Sequence, residues 1–193
     1  MKIRLLKKSD IYEKLLNIVD ANDNIIGVNS REEIHQNGWR HREIHVYFIT
    51  PNKKIIFQHR AKDKDTFPDL LDATVGGHVK IGQSYAETAI KETEEETGVK
   101  INESDLRLIN KIKKYSADKV TGKLNNALNS RYLYIYRGNI NDLKIEAGKA
   151  LGFETYTLDE LMHLSTENQA RFIPYILKFA TTELAEFIKN LKL

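Results

Sequence analysis

The 193-residue chain has no cysteine. This absence excludes a disulfide framework, a thiolate zinc site and a cysteine nucleophile, and it fits a reducing compartment. Long apolar runs are also missing, because no segment approaches the ~20 apolar residues of a transmembrane helix. The basic N-terminus has no apolar run behind it and therefore does not resemble a signal peptide. We expect a cytoplasmic protein that has no membrane partner.

An excess of one charge is lacking too. The chain has 30 Lys and Arg against 27 Asp and Glu, so its net charge is only +3. Nucleic-acid binding is favoured by basic residues clustered on one face, whereas the sharpest charge cluster here is acidic, at Glu92, Glu94, Glu95 and Glu96. Nucleic acid is therefore disfavoured as a partner. The composition is typical of a globular protein, and we expect a single domain over residues 1–193.

The order of the predicted elements indicates a mixed sheet covered by helices, an α+β arrangement. Apolar alternation and β-branched residues predict strands at Leu15–Val19, Ile25–Val28, Ile44–Thr50, Lys54–His59, Asp72–Val75, Leu106–Lys113, Arg131–Arg137 and Phe153–Thr157. Capping residues and helical periodicity predict helices at Ser84–Thr97, Asp159–Leu164 and Gln169–Leu191, with a short one after Ser30. The first two strands form a hairpin within residues 13–30, and the polar segment Ala117–Ser130 is predicted to be a substrate-side loop or hairpin.

The predicted helix Ser84–Thr97 combines a packing face with an acidic stripe. At about 100° per residue, one side that can pack on a sheet carries Ala86, Ala89, Ile90, Thr93 and Thr97. Glu92, Glu95 and Glu96 are related as i, i+3 and i+4 and lie on a neighbouring stripe, where their charges repel each other. A hard cation such as Mg²⁺ would turn this repulsion into coordination. A solvated acidic face is the alternative interpretation.

Two glycines before this helix favour a metal site over a solvated face. Gly76 and Gly77 end a strand and lead into the helix through a short loop. Glycine lets the backbone approach a ligand closely, so the carbonyl of Gly77 could join the carboxylates as an oxygen ligand. A Gly-Gly pair alone more often marks a plain turn, but this pair precedes an acidic stripe at a fixed spacing.

The segment Gly76–Val99, GGHVKIGQSYAETAIKETEEETGV, resembles the Nudix box G-x5-E-x7-R-E-U-x-E-E-x-G-U, where U is a bulky aliphatic residue. The first Gly, the three helix carboxylates and the close of the box are matched by Gly77, Glu92, Glu95, Glu96, Gly98 and Val99. The resemblance implies a Nudix fold, with a mixed β-sheet sandwiched between helices (α/β/α). It also implies hydrolysis, dependent on Mg²⁺ or Mn²⁺, of a nucleoside diphosphate linked to another moiety or of a related diphosphate.

Three positions depart from the box. Gln83 replaces a Glu, Lys91 replaces an Arg, and Thr93 replaces an aliphatic residue. In the family the Arg orients a catalytic Glu. Lys91 lacks the planar fork of Arg, but it lies one turn before Glu95, so a looser pairing is expected. Gln83 and Lys91 support an alternative, a Nudix-fold nucleotide-binding module with weakened catalysis, which the intact trio of Glu residues argues against.

The chain outside the box is similar to the Nudix branch that includes the isopentenyl-diphosphate isomerases. Those isomerases use a catalytic Cys just before a Gly-His pair, where this chain has Gly76. His45 and His78 match two of their metal-binding histidines, and the third would fall near Gly38. Their paired Glu on a later strand has no obvious match in Asn125–Tyr132. Isomerase activity is therefore disfavoured.

The resemblance also implies roles for individual residues. Metal ions bound by Gly77, Glu92, Glu95 and Glu96 would neutralise the diphosphate and lower the pKa of a water, with the three Glu as catalytic residues. The general base is left open among Glu92, Glu146 and Glu154. The candidate substrate contacts are Arg42, Arg60, Lys64 and His78, although each basic residue could instead be solvated surface charge. We expect a small-molecule diphosphate as the partner, and a homodimer through Gln169–Leu191 is left open.

Overall fold

The computed structural model describes residues 15–64, 66–118 and 121–192. The basic N-terminus and the first two residues of the predicted hairpin 13–30 lie outside the described residues. The strands are β1 (Leu15–Val19), β2 (Ile25–Ser30), β3 (His41–Ile49), β4 (Ile55–Arg60), β5 (Leu71–Asp72), β6 (Val75–His78), β7 (Arg107–Ala117), β8 (Leu124–Ile135) and β9 (Ala150–Tyr156). The helices are α1 (Arg31–Asn37), α2 (Tyr85–Thr97), α3 (Leu158–Met162), α4 (Thr166–Gln169), α5 (Pro174–Thr181) and α6 (Glu183–Lys189). Within these described ranges, no helix is both long enough and apolar enough to cross a membrane.

Strand β3 organises the main sheet. β1 and β2 form a separate antiparallel hairpin, and the other seven strands form a mixed sheet in which β3 pairs in parallel with β8 along its whole length. On its other edge β3 pairs with β6 over Glu43–Val46 and with β4 at Phe48 and Ile49. The chains of β4 and β6 therefore share one edge of β3, and β6 is placed beside helix α2.

The alternation of side chains along β3 builds two apolar layers, one on each face of the sheet. Val46 and Phe48 face one way and pack in a cluster that includes Ala89 of α2. Tyr47 and Ile49 face the other way and pack in a cluster with residues of α5 and α6. The sheet therefore lies between helices, as the sequence predicts.

Helix α2 begins and ends where the sequence predicts. The Ser84 hydroxyl accepts from the Glu87 N–H, and the Glu87 carboxylate accepts from the Ser84 N–H, which makes a capping box. Gly98 ends the helix with φ +73, a left-handed conformation that favours glycine. The packing face differs from the prediction. Ala86 and Ile90 are only partly buried, and the buried face is Thr88, Ala89, Glu92, Thr93, Glu96 and Thr97.

The C-terminal region is not one helix over Gln169–Leu191, as predicted, but two short helices, α5 and α6, which follow the end of α4 at Gln169. Pro174 begins α5, where its missing N–H costs nothing. The hydroxyls of Thr181 and Thr182 donate to the carbonyls of Leu177 and Lys178, and Thr182 leaves the helical conformation with ψ −97°. Side-chain bonds of this kind compete with the helical backbone pattern, so the helix breaks there.

The sequence predicts a loop or hairpin at Ala117–Ser130, and in the described part of this segment Ala117 ends β7, which pairs antiparallel with β8. The part of the segment from Leu124 onward belongs to β8. The asparagines that suggested a loop have partners in the folded protein. The side-chain amide of Asn125 donates to the buried Glu43 carboxylate at 2.8 Å, and that of Asn126 donates to the Gly38 carbonyl at 3.0 Å. These long-range bonds outweigh the low β-propensity of asparagine.

Candidate active site

A cavity of about 320 Å³ lies where β3, β6 and α2 meet. It gathers all the predicted metal-binding residues and all the predicted substrate contacts except Arg42, namely Gly77, His78, Glu92, Glu95, Glu96, Arg60 and Lys64. The acidic stripe and several basic residues therefore face one space. Such a mixture of charges suits a substrate that carries both a bound cation and anionic groups.

Glu92 and Glu96 are buried, whereas Glu95 is exposed. The exposed fractions of Glu92 and Glu96 are 7% and 4%. The backbone of β6 passes so close to α2 that a Cβ atom on Gly77 would lie 2.6 Å from Cγ of Glu92. Real Cβ atoms do not approach other atoms so closely, so glycine is required at position 77 by lack of space.

The carboxylate of Glu96 lies deepest in the site. Its Oε2 accepts from the Gln58 side-chain amide at 3.1 Å and from the Gly76 N–H at 3.4 Å. Burial raises the pKa of Glu96 to about 8, although the charge of Lys149 opposes this shift. Burial also raises the pKa of Glu92, again against the effect of Lys149. Both carboxylates have lost the water that normally stabilises their charge, so a nearby cation would favour their ionised form.

Lys149 is a member of the site that the sequence analysis missed. Its ammonium lies 3.7 Å from Oε2 of Glu92, 3.7 Å from Oε1 of Glu96 and 3.0 Å from Oε2 of Glu146. Burial alone would lower the pKa of Lys149, but the Glu96 carboxylate and the neighbouring acids raise it. Lys149 lies far along the chain from the helix, and no motif in the sequence marks it.

The two substituted polar positions of the box leave the carboxylates undisturbed. Lys91 pairs with Glu95, with Nζ 3.5 Å from Oε1, which is the looser pairing expected in place of the family's Arg. The Gln83 side-chain oxygen accepts from the Thr88 hydroxyl at 3.1 Å. Gln83 does not line the cavity, so its missing charge acts only at a distance.

The predicted phosphate contacts fall into different environments. Arg60 lines the cavity, but its guanidinium already donates to the carbonyls of Thr66 and Phe67 and to the Asp72 carboxylate. These bonds hold a loop in which Phe67 has φ +47, a conformation that bulky residues rarely adopt. Burial and the charge of Arg60 lower the pKa of Lys64, so positive charge is crowded on this side of the cavity.

Arg42 does not reach the cavity, contrary to its predicted role as a substrate contact. Its Nε donates to Oδ1 of Asp23 at 2.6 Å, and its Nη2 donates to the Asp23 carbonyl at 2.6 Å. Lys111 also pairs with Asp23. Arg42 therefore joins the turn of the N-terminal hairpin to the sheet, and its charge is used in the fold.

The residues around Glu92 and Glu96 fit a divalent cation. Mg²⁺ and Mn²⁺ prefer oxygen ligands. The site offers buried carboxylates beside a strand whose close approach to the helix depends on glycine at position 77. The raised pKa values of Glu92 and Glu96 show that the chain alone does not fully compensate their charge. Glu92, Glu96 and the Gly77 carbonyl would hold the ion, and the exposed Glu95 would complete the ligands from the solvent side.

A second cluster, which the sequence analysis did not identify, consists of His35, His41 and His78. One ring nitrogen of each lies within 4.8 Å of those of the other two. Nε2 of His35 is 3.0 Å from Nε2 of His78, and Oε1 of Glu43 is 3.4 Å from Nε2 of His41 and 3.6 Å from Nε2 of His78. Imidazole nitrogen with one carboxylate suits transition metals better than Mg²⁺.

The histidine positions inferred from the isomerase resemblance need correction. His45 does not join His78, although it lies on the same face of β3 as His41 and Glu43, which do approach that residue. The ring of His45 stacks on Tyr175 instead, and burial lowers its pKa to about 4. The histidines that approach His78 come from α1 and the start of β3, and only the pairing of β3 with β6 brings them to it.

Comparison with known proteins assigns the family. The family model for the NUDIX domain matches residues 39–176. The chain belongs to the Nudix family. An uncharacterised Nudix hydrolase of Clostridium acetobutylicum is 29% identical over 152 residues, which cover 77% of this chain and 72% of that protein. An uncharacterised Nudix hydrolase of Yersinia pestis is 39% identical over 84 residues, 44% of this chain and 46% of that protein. The Nudix chain is therefore an enzyme, a hydrolase of pyrophosphate bonds.

Solved structures confirm the Nudix fold. A crystal structure from Deinococcus radiodurans has a TM-score of 0.63 and 20% identity, and the match covers 91% of this chain and 97% of that one. The NUDIX domain of Shewanella oneidensis NrtR, solved with ADP-ribose, has a TM-score of 0.55 and 12% identity, with 83% and 99% covered. At these identities the likeness establishes the fold, and the isomerase-like branch stays a prediction.

Because β6 lies so close to α2, we expect different effects on stability when each of two neighbouring glycines is replaced by alanine. Gly77→Ala would push the Glu92 carboxylate away and should lower the free energy of unfolding by about 1–3 kcal/mol and weaken the stabilisation by Mg²⁺. Gly76→Ala is the matched control, because its Cβ would lie 3.4 Å from the His45 ring, an ordinary contact. Urea unfolding with and without Mg²⁺ measures both effects. Equal behaviour of the two variants would contradict the steric argument.

The buried Glu96 predicts a dependence of stability on pH in the metal-free protein. Its pKa rises from 4.5 to about 8 on folding, so between these values the folded state binds more protons and stability falls as pH rises. Glu96→Gln cannot ionise and removes this fall. In EDTA, the melting temperature of Glu96→Gln relative to that of the wild type should increase by a few degrees as the pH rises from about 5 to about 8. Glu95→Gln, on the exposed side, is the control, and a constant offset for Glu96→Gln at all pH values would refute the account.

Proposed function

We propose that this Nudix hydrolase uses Mg²⁺ or Mn²⁺ to cleave a nucleoside diphosphate linked to another moiety, or a related diphosphate. The observation that carries the proposal is the buried pair of Glu92 and Glu96 beside Gly77, in a cavity that also contains crowded positive charge. The ADP-ribose bound in the structure of the Shewanella NUDIX domain is a compound of this chemical class. The fold likeness makes it a suitable first compound to test.

In this proposal, some residues of the cavity bind the metal and others contact the substrate or position the residues that do. Glu92, Glu96, Glu95 and the Gly77 carbonyl would hold the metal, which when bound would neutralise the diphosphate and lower the pKa of a water. Lys64 and His78 line the cavity and contact the substrate. Arg60 holds the loop around Phe67 in place and acts by positioning it. Gln58 fixes the orientation of the Glu96 carboxylate.

The position of Glu146 favours it over Glu154 as the proton acceptor. Glu146 contacts Lys149, which in turn contacts Glu92 and Glu96. Glu154 instead accepts from Arg171 at 2.6 Å, and neither Glu146 nor Glu154 lines the cavity. A general base must lie within hydrogen-bond reach of its proton, directly or through one water, and we assign this role to Glu146.

Two alternatives remain as hypotheses. A nucleotide-binding module with weakened catalysis is disfavoured, because Lys91 still pairs with Glu95. The isopentenyl-diphosphate isomerase has one observation in its favour, since His35, His41 and His78 form a cluster of the metal-binding type that its resemblance implies. Against it, Gly76 supplies no thiol for proton transfer. A cytoplasmic location, a single domain and a homodimer stay predictions from the sequence.

A substrate panel tests the proposed function. Release of inorganic phosphate after phosphatase coupling would be measured with Mg²⁺ on nucleotide sugars, ADP-ribose, dinucleotides, nucleoside triphosphates and prenyl diphosphates. The Glu95→Gln, Glu96→Gln double variant should lose about 100-fold or more of the turnover. Glu94→Gln is the matched control, because Glu94 is an exposed neighbour on the same helix that pairs with Lys100. Its turnover should equal that of the wild type.

The outcomes separate the three hypotheses. Turnover that the double variant abolishes and Glu94→Gln retains supports the hydrolase. Nucleotide binding without turnover on any compound supports the binding module, and turnover that survives the double variant refutes the assigned site. Isomerisation of isopentenyl diphosphate, assayed directly in the same preparation, would support the third hypothesis instead.

A further inference from the structure

Lys149 lies in the cavity beside the carboxylates that we propose bind the metal. Its ammonium lies between the carboxylates of Glu92 and Glu96, 3.7 Å from an oxygen of each. Its shorter contact, 3.0 Å, is to Glu146 on its own turn. The two buried carboxylates therefore share one positive charge, which the chain itself supplies.

The turn that carries Lys149 anchors the backbone and leaves the side chain movable. The Lys149 N–H donates to the Glu146 carbonyl, and the Ala61 N–H donates to the Lys149 carbonyl, both at 3.0 Å. The preceding Gly148 has φ +75, which makes the turn tight. The Lys149 side chain is 32% exposed, and its four-carbon stem is flexible. The ammonium can therefore leave the carboxylates while the backbone stays in place.

We infer that Lys149 is an internal counter-ion of the Glu92–Glu96 pair, which a divalent cation must displace when it binds. The inference rests on the proposed metal site at these carboxylates. A monovalent ammonium and a divalent cation at the same pair of carboxylates repel each other strongly in a partly buried site. The lysine keeps the metal-free protein stable, and it lowers the affinity of the site for the metal.

This role differs from that of Lys91, another lysine beside the helix carboxylates. Lys91 pairs with Glu95 in an exposed i,i+4 pair with side chains 40% and 44% exposed. Pairs of this kind are screened by water and contribute little. Replacing Lys91 therefore changes the charge by the same amount as replacing Lys149 but does not empty the space between the buried carboxylates.

Binding of Mg²⁺ to the wild type, Lys149→Met and Lys91→Met tests the inference. Isothermal titration calorimetry with Mg²⁺ alone, at about pH 8.5 to limit proton competition for the carboxylates, should show that Lys149→Met binds Mg²⁺ about tenfold more tightly than the wild type. Lys91→Met should match the wild type within about twofold. Melting temperatures supply an independent measurement: Lys149→Met should be less stable than the wild type in EDTA and should regain the difference in saturating Mg²⁺.

Each result decides between named possibilities. Equal or weaker Mg²⁺ binding by Lys149→Met overturns the inference, as does a loss of melting temperature that is the same with and without Mg²⁺, because that loss would indicate a purely structural lysine. Equal gains for Lys149→Met and Lys91→Met would also overturn it, since net charge alone would then explain the effect. If Glu96→Gln binds Mg²⁺ as tightly as the wild type, the proposed metal site itself fails, and this is distinguishable from failure of the Lys149 inference.

Discussion

Burial of two carboxylates against a closely approaching strand is the constraint on which the rest of this site depends. Glu92 and Glu96 face the sheet where a helix of an ordinary protein would present apolar side chains. Isolated buried charges are costly unless they are paired or bound to a metal. The requirement for glycine at position 77, the amide of Gln58 and the ammonium of Lys149 all follow from holding these two groups in place.

The same constraint explains why negative charge lies on one side of the cavity and positive charge on the other. Helix α2 presents carboxylates on one side, and Lys64 lies on the other, beside an Arg60 that is committed to the loop around Phe67. A diphosphate carries negative charge that a metal at the carboxylates and the basic side could neutralise together. Neither half alone would suit that ligand, because the carboxylates repel it and the basic residues repel the metal.

The local sequence predicts the helix and its acidic stripe because these depend on neighbours. Ser84 and Gly98 bound the helix through short-range bonds, and the spacing of Glu92, Glu95 and Glu96 follows from helical geometry. The degree of burial was not predictable in the same way. Glu92 and Glu96 are buried and Glu95 is exposed because of where β6 passes, which the period of the helix does not reveal.

Other features depend on contacts between distant parts of the chain. Lys149 joins the site through the fold of a turn, and His35 reaches His78 through the pairing of two strands. Asn125 lies in a strand because a buried carboxylate needs its amide. The sequence pattern contains no signal for such pairings, so Arg42 was assigned to substrate although Asp23 binds it.

The most direct test of the metal site is anomalous diffraction from crystals grown with Mn²⁺. We expect an anomalous peak at Glu92 and Glu96 beside Gly77, with Lys149 moved out of the space between the carboxylates. A peak confined to the histidine cluster around His78, or an ammonium of Lys149 that still lies between the two carboxylates beside a bound ion, would contradict it.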